Sequence, residues 1–318
     1  MTSKPPVLQN GPVSYSGTMT KIDELFTVHK LWLAPDKLAL ARRIAPEITC
    51  AFTSGHDPIP NEILDVLPNL KLVACFGVGV DGVNVAELTR RGITVTNTPD
   101  VLTEEVADLG LGLLLATTRQ MIKGDRYVRS GEWVKRGNME MTWSLTGGKT
   151  IGIIGLGRIG KAIAKRCEAF HLKVAYHGRS KQADVSYRYY ADPAELARDS
   201  DFLMIVTPGG PGTKHLVDAR VIEALGPNGI LINISRGSVV DQAALVKALK
   251  EKRIAAAGLD VFEVEPCVPE GLVDMPDNVV LQPHQASATH ETRGAMGDLM
   301  IANVQAFLAG KMPLTPVN

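Results

Sequence analysis

Residues 150–170 read Thr150-Ile151-Gly152-Ile153-Ile154-Gly155-Leu156-Gly157-Arg158-Ile159-Gly160, running on through Lys161 to Phe170 as KAIAKRCEAF. An apolar, β-branched run enters a turn of three spaced glycines and a helix-forming segment leaves it. Gly155 permits the tight turn, Gly157 lets backbone approach a pyrophosphate, and Gly160 lets helix pack on strand, with the helix N-terminus facing the anion. GxGxxG alone is a weak signal, but between a strand and a helix it predicts a dinucleotide site. An NAD site would place a carboxylate at the end of the next strand to accept from the ribose hydroxyls. Here that strand ends Val174-Ala175-Tyr176-His177-Gly178-Arg179-Ser180-Lys181, with no acid and with three groups able to meet an anion. The pattern predicts NADP(H) over NAD(H); a solvated basic turn is the plainer alternative.

Outward from this stretch the chain alternates between strand-like and helix-like segments. Strand candidates on the C-terminal side are Thr150 to Ile154, Lys173 to Tyr176, Phe202 to Val206, Ile230 to Ile234, Ala255 to Leu259 and Val279 to Leu281. An earlier series comprises Ile48 to Phe52, Leu72 to Phe76 and Ile93 to Val95, with helix-like Asn61 to Val66 and Val85 to Arg91 between them. Continuous apolar strands separated by helices mean parallel sheets covered on both faces. The fold expected is α/β, two doubly wound parallel-sheet domains: a flavodoxin-like substrate-binding domain and a Rossmann nucleotide-binding domain, with an inter-domain cleft. The expected boundaries are 1–97 plus 286–318 for the first and 98–285 for the second. Between the two series, TEEVADLGLGLLLATT (103–118) reads as a buried helix whose Ala107, Gly110, Gly112 and Ala116 suggest close approach of another element, either a second subunit or the core. The tail from Ala288 to Leu308 reads as a helix returning to the first domain. Residues 1–20, with Pro, Gly and Ser in no period, read as a loose extension.

Composition narrows the function classes. With 318 residues, 45% hydrophobic and 21% charged, the chain is long enough for two cores, and disorder, coiled coil and collagen are excluded. Lys+Arg and Asp+Glu are both 34, which gives no field for gathering nucleic acid or an anionic membrane. Neither partner is expected. The longest apolar run is too short to span a bilayer and the N-terminus lacks a signal-peptide core, so the expected location is cytoplasmic. Cys50, Cys75, Cys167 and Cys267 form no CxxC pair and read as reduced structural thiols. His29, His56, His171, His215 and His290 have no partners at metal spacing and read as surface or structural residues; no metal is expected.

Three polar residues stand at the ends of expected strands, the edge where open α/β sheets bind ligands. Arg236 follows Ile232-Asn233-Ile234-Ser235, and its planar fork suits a carboxylate, a cofactor phosphate or a structural ion pair. Glu265 lies in DVFEVEP (260–266) and His284 in QPHQAS (282–287). Spacing alone leaves their roles open.

At this point several motifs in order carry a family resemblance: FGVGVDGV (76–83), NTPDVLTEEVADLGLGLLLA (97–116), GLGRIG (155–160), INISRGSVVD (232–241), GLDVFEVEP (258–266) and PHQASATHETR (283–293). The chain resembles the D-isomer-specific 2-hydroxyacid dehydrogenases from about Asp57 to Val317, and within them the glyoxylate/hydroxypyruvate and hydroxyphenylpyruvate reductases. The resemblance implies that Arg236, Glu265 and His284 are the catalytic set. Protonated His284 would supply a proton to the carbonyl oxygen of a 2-oxo acid, Glu265 would favour the charged imidazole, and Arg236 would orient the substrate and polarise its carbonyl. The backbone of Val78 and Gly79 would meet the substrate carboxylate. Implied cofactor contacts are Leu156, Gly157, Arg158 and Ile159 around the pyrophosphate, Arg179 and Ser180 at the 2′-phosphate, Thr207 and Pro208 beneath the adenosine, and Ser235 and Asp260 near the nicotinamide. Thr103, Thr213 and His284 complete that set.

Two departures stand out. Gly209-Gly210-Pro211-Gly212-Thr213 replaces the Leu-Thr-Pro-Glu-Thr of many relatives, and Ala286 stands where many have glycine, which matters only if the backbone there needs positive φ. The expected activity is NADPH-dependent reduction of small 2-oxo acids, glyoxylate or hydroxypyruvate first, in a homodimer. Phe76, Met139, Met141 and Trp143 could instead build a pocket for hydroxyphenylpyruvate. Met139 to Trp143 could equally be hinge packing. A non-enzymatic, dinucleotide-sensing, co-repressor-like protein is the remaining alternative.

Overall fold

A computed structural model describes residues 4–145 and 147–318. The chain forms two compact units, one running to Leu102 and resuming at Ala288, the other spanning Thr103–Ser287. In the first, strands β1 (Pro6–Gln9), β2 (Thr27–Lys30), β3 (Cys50–Ser54), β4 (Leu72–Phe76) and β5 (Thr94–Thr96) make one parallel sheet in the order β2-β1-β3-β4-β5, the flavodoxin arrangement. The closing helix His290–Leu308 packs in this unit against β4 and helix Ser16–Leu25, so closely that a methyl on Gly297 would overlap the Thr18 side chain.

The expectation of a loose extension over residues 1–20 is corrected here. Val7, Leu8 and Gln9 have no solvent exposure, and β1 lies inside the sheet between β2 and β3. A four-residue strand that starts at the second of two prolines is too short to show a period. Its burial comes from neighbours distant in sequence, with Leu8 opposite both His29 and Ala51. For the same reason β2 was not foreseeable.

The second unit carries seven parallel strands, β6 (Thr150–Ile154), β7 (Lys173–His177), β8 (Arg188–Tyr190), β9 (Phe202–Ile205), β10 (Ile230–Asn233), β11 (Ala256–Leu259) and β12 (Val279–Leu281). Their order, β12-β11-β10-β9-β6-β7-β8, is the Rossmann order with one strand added. The chain winds outward from β6 through β7 to β8, then crosses to β9 on the other side of β6. The ends of β6 and β9 therefore flank the switch point where such sheets bind ligands. Strands β9, β10 and β11 are wholly buried, as their apolar runs require for a sheet covered on both faces.

Two helices of this unit pack together. Arg158–Ala169 turns Gly160, Ile163, Ala164 and Cys167 inward at helical spacing. Thr103–Thr118 lies against it, and a methyl on Gly110 would crowd Ile234 Cδ1 at 2.9 Å, so that small residue serves the unit's own core. Arg166 ties the pair, with Nε 2.6 Å from Asp108 and Nη2 2.8 Å from Glu104. Among the described residues no helix is long and apolar enough to cross a membrane.

Burial sorts the thiols. Removal from water pushes Cys50 up to about 11, and Cys75 and Cys167 up to about 12, whereas Cys267 is exposed. A disulfide-forming aromatic thiol reagent at mildly alkaline pH should therefore modify one thiol in the folded protein and four in denaturant. Two or more rapid equivalents under native conditions would contradict the assigned burial.

Candidate active site

The glycine-rich turn is built as its sequence requires. Gly155 has φ +101°, its N–H donates to the His177 carbonyl at 2.9 Å, and a side chain there would run into the Thr207 backbone. A methyl on Gly160 would overlap the Gly155 carbonyl. Gly157 differs: a methyl there would meet no protein atom within 4 Å. Gly157 also opens helix Arg158–Ala169 without a side-chain cap. Leading N–H groups beside open space suit a pyrophosphate, so the residues present fit a dinucleotide. Thr207 reaches this turn from the end of β9, and the Thr213 hydroxyl donates to the Pro208 carbonyl at 2.7 Å, closing the unusual Gly209–Gly212 loop. Arg179, Ser180 and Lys181 are all exposed just beyond β7, and Thr103 is the first residue of its helix.

The polar candidates sit past the ends of adjacent strands. Beyond β10, the Asn233 side chain accepts from Ser235 N–H at 3.0 Å and Ser235 Oγ at 2.8 Å, and its own amide donates to the Arg236 carbonyl at 3.1 Å. That bracket shapes the Ser235–Arg236 turn. Arg236 is partly buried and donates from Nη1 to the Ser235 carbonyl at 2.8 Å. Beyond β11, Glu265 accepts from Phe262 N–H on one oxygen at 2.8 Å, and its other oxygen lies 2.7 Å from His284 Nδ1. Both side chains are about one-third exposed, at 31% and 32%. With Nδ1 held by the carboxylate, proton exchange with a ligand would go through Nε2.

Asp260 holds this edge together. It has no exposure, and its two oxygens accept from Gln285 N–H at 2.7 Å and Ala286 N–H at 3.0 Å, while its carbonyl accepts from His284 N–H at 2.8 Å. Burial raises its carboxyl above the usual range, against the two N–H groups that favour the anion. The clamp turns the chain so that His284 adopts φ +55°, a conformation uncommon outside glycine that here aims a ring. Ala286 is not among the residues with positive φ, so its methyl causes no strain.

In the other unit, the loop after β4 carries Val78 and Gly79. Gly77 N–H donates to Thr98 Oγ1 at 3.1 Å, Thr98 N–H returns to the Gly77 carbonyl at 2.9 Å, and Asn97 Nδ2 holds the Val78 carbonyl at 2.9 Å. Phe76, offered for an aromatic pocket, is 5% exposed in β4, with the Arg293 guanidinium 5.6 Å from its ring centroid.

Several positioning residues escaped sequence reading. Asn233 and Gly237 lie inside a recognisable motif but carry no chemical signature of their own. A methyl on Gly237 would occupy the place of the Phe262 backbone. His215 pairs with Glu263 at 2.8 Å, and Glu263 N–H donates to Gln242 Oε1 at 3.3 Å, which braces the loop bearing Glu265 from its outer side. Only proximity in space reveals that bracing. Among the described residues no three His, Cys, Asp or Glu side chains gather to hold a metal.

Residues 111–286 match the family model described as D-isomer specific 2-hydroxyacid dehydrogenase, NAD binding domain. The chain is 46% identical over 311 residues to glyoxylate/hydroxypyruvate reductase A of Arabidopsis thaliana, covering 98% of both proteins. It is also 46% identical over 300 residues to hydroxyphenylpyruvate reductase of Plectranthus scutellarioides, covering 93% of this chain and 94% of that one. A solved structure of the NADPH-dependent glyoxylate/hydroxypyruvate reductase from Sinorhizobium meliloti, in complex with NADP and malonate, superposes with a TM-score of 0.90 at 42% identity, covering 99% of this chain and 97% of that one.

The close approach at Gly237 yields a direct test. Gly237→Ala should cost about 1–3 kcal/mol of stability in urea titration, the usual cost of overpacking. Its turnover should fall by more than tenfold, roughly, because the backbone that must yield leads to Glu265. Wild-type turnover in a folded variant would show that this contact does not brace the site.

Proposed function

The chain belongs to the D-isomer specific 2-hydroxyacid dehydrogenases, and from that premise we propose that it is an NADPH-dependent reductase of small 2-oxo acids, glyoxylate and hydroxypyruvate first. The observation that carries the reading is the 2.7 Å bond between Glu265 and His284 beyond neighbouring strands, with Arg236 beyond the next. When bound, the reduced nicotinamide supplies the hydride that ends on C2 of the substrate. His284, charged and held through Nδ1 by Glu265, releases its Nε2 proton to the carbonyl oxygen, so that alkoxide charge is relieved as it forms. Arg236 offers a planar pair of donors to the substrate carboxylate and draws density from the adjacent carbonyl. Val78 and Gly79 add backbone donors for that carboxylate. The net change is one 2-oxo acid, one NADPH and one proton converted to a 2-hydroxy acid and NADP, of D configuration where C2 is chiral.

Preference for NADPH rests on the end of β7, which carries no carboxylate and exposes Arg179, Ser180 and Lys181. The Sinorhizobium meliloti relative is described as NADPH-dependent. Leu156 to Ile159 hold the pyrophosphate, Thr207, Pro208 and Thr213 the adenosine side, and Thr103, Ser235, Asp260 and His284 the nicotinamide side. Reduction of hydroxyphenylpyruvate is the second reading, favoured by the Plectranthus scutellarioides relative.

A homodimer fits the exposed apolar side chains of the consecutive helices Met121–Arg129 and Glu132–Arg136, where Trp133 is 56% and Val134 92% exposed. Light scattering should give twice the 34.2 kDa chain mass. Trp133→Glu with Val134→Glu should halve it. A monomeric wild type would remove this part of the reading.

Reductase activity is followed through loss of the reduced nicotinamide's absorbance, with each cofactor against glyoxylate, hydroxypyruvate and hydroxyphenylpyruvate. The expected outcome is fast NADPH oxidation with the two small acids and slow turnover of the aromatic one. His284→Ala should lose about 10²–10⁴-fold in kcat, the usual contribution of a positioned acid, while still binding NADPH. Undiminished turnover in that variant would remove His284 as the proton donor, and turnover of the aromatic acid alone would favour the second reading.

A further inference from the structure

The basic turn after β7 is tied down at both ends by residues no part of the mechanism uses. At its start, the Tyr189 hydroxyl donates to the Gly178 carbonyl at 3.2 Å. At its far end, Gln182 N–H donates to the Tyr176 hydroxyl at 2.6 Å, and Tyr176 is wholly buried with its ring centroid 5.4 Å from that of Tyr189. The Gln182 side chain then reaches across to the glycine-rich loop, donating from Nε2 to the Leu156 carbonyl at 2.7 Å. Leu156 is itself only 2% exposed, so the acceptor is fixed. Asp184, just beyond, is engaged by Lys161 at 2.6 Å, which offsets the nearest negative charge on this segment.

Exposed cations alone discriminate weakly, because an ion pair formed in water gains little once side-chain ordering is counted. A turn held in place lowers that ordering cost. We propose that Gln182, braced by the Tyr176 hydroxyl, is a specificity-determining positioning residue: it sets the span between the backbone that cradles the pyrophosphate and the basic turn that takes the 2′-phosphate. The phosphorylated dinucleotide thus meets Arg179 and Ser180 at a preset distance from its pyrophosphate. This inference rests on the NADPH reading above and deepens it.

Calorimetric titration with 2′-phospho-ADP-ribose and with ADP-ribose tests the two separately, since both carry the pyrophosphate, differ only in the 2′-phosphate and lack the nicotinamide that would turn over. Wild type should bind 2′-phospho-ADP-ribose more tightly than ADP-ribose. Gln182→Met, which keeps length and removes the donor, should lose about tenfold for 2′-phospho-ADP-ribose and under about twofold for ADP-ribose, with the kinetic loss falling on KM for NADPH rather than on kcat. Tyr176→Phe, which keeps the buried ring, should follow the same pattern at smaller amplitude. In an Arg179→Ala background the Gln182→Met loss should shrink below about twofold, because one residue acts through the other. Equal losses for both ligands would mean general damage to the domain, no loss would mean an idle contact, and additive losses would mean independent action; each overturns the proposal. A wild type that binds both ligands equally would instead overturn the NADPH reading, and this inference with it.

Discussion

Asp260 lies at the end of β11 without contact with water, and its two carboxylate oxygens take the N–H groups of Gln285 and Ala286. A carboxylate in such a place is costly unless its oxygens are satisfied, and an abandoned buried donor costs about 1–3 kcal/mol. The arrangement is therefore stable only when the chain after β12 folds back over β11. Asp260 also donates its N–H to the Asn233 carbonyl of β10 and accepts His284 N–H on its own carbonyl, so one residue registers three strand ends. The αL conformation of His284 and its bond to Glu265 follow from that registration.

The cofactor side of the same sheet works by close approach rather than by buried charge. At Gly155 and Gly160 there is no room for a side chain, because Thr207 and the Gly155 carbonyl occupy the space. At Gly157 a methyl would meet no protein atom within 4 Å. The backbone thus presents donors at a surface that a phosphate can reach, with the helix N-terminus behind them. The basic turn is joined to this loop through Gln182 and Leu156, so turn and loop share one frame.

Much of this was legible in the chain. The glycine pattern in its strand and helix, the missing acid after β7, and the apolar runs of β6, β9, β10, β11 and β12 are local signals, since each depends on neighbours a few residues away. Arg236, Glu265 and His284 were marked by their place at strand ends and by the motifs around them, and the structure brings Glu265 and His284 into direct contact. What was not legible depends on long-range contacts. β1 looked like part of an extension because its four residues show no period, and only its pairing with β2 and β3 buries it. His215 read as a surface or structural histidine, and only the fold shows that its partner is Glu263.

The sequence by itself determined most of the alternation of elements and the two parallel sheets, and it marked Arg236, Glu265 and His284 as candidates at strand ends, because hydrophobic period, turn chemistry and residue type are properties of short segments. Only the tertiary structure decided which groups hold those side chains in place. Asn233, Gly237, Asp260, Tyr176 and Gln182 act through bonds or contacts spanning from a few residues to more than twenty, and their partners become neighbours only when parallel strands bring their ends to one edge. Orientation at a site is set by those packed contacts, and packing is a property of the whole fold.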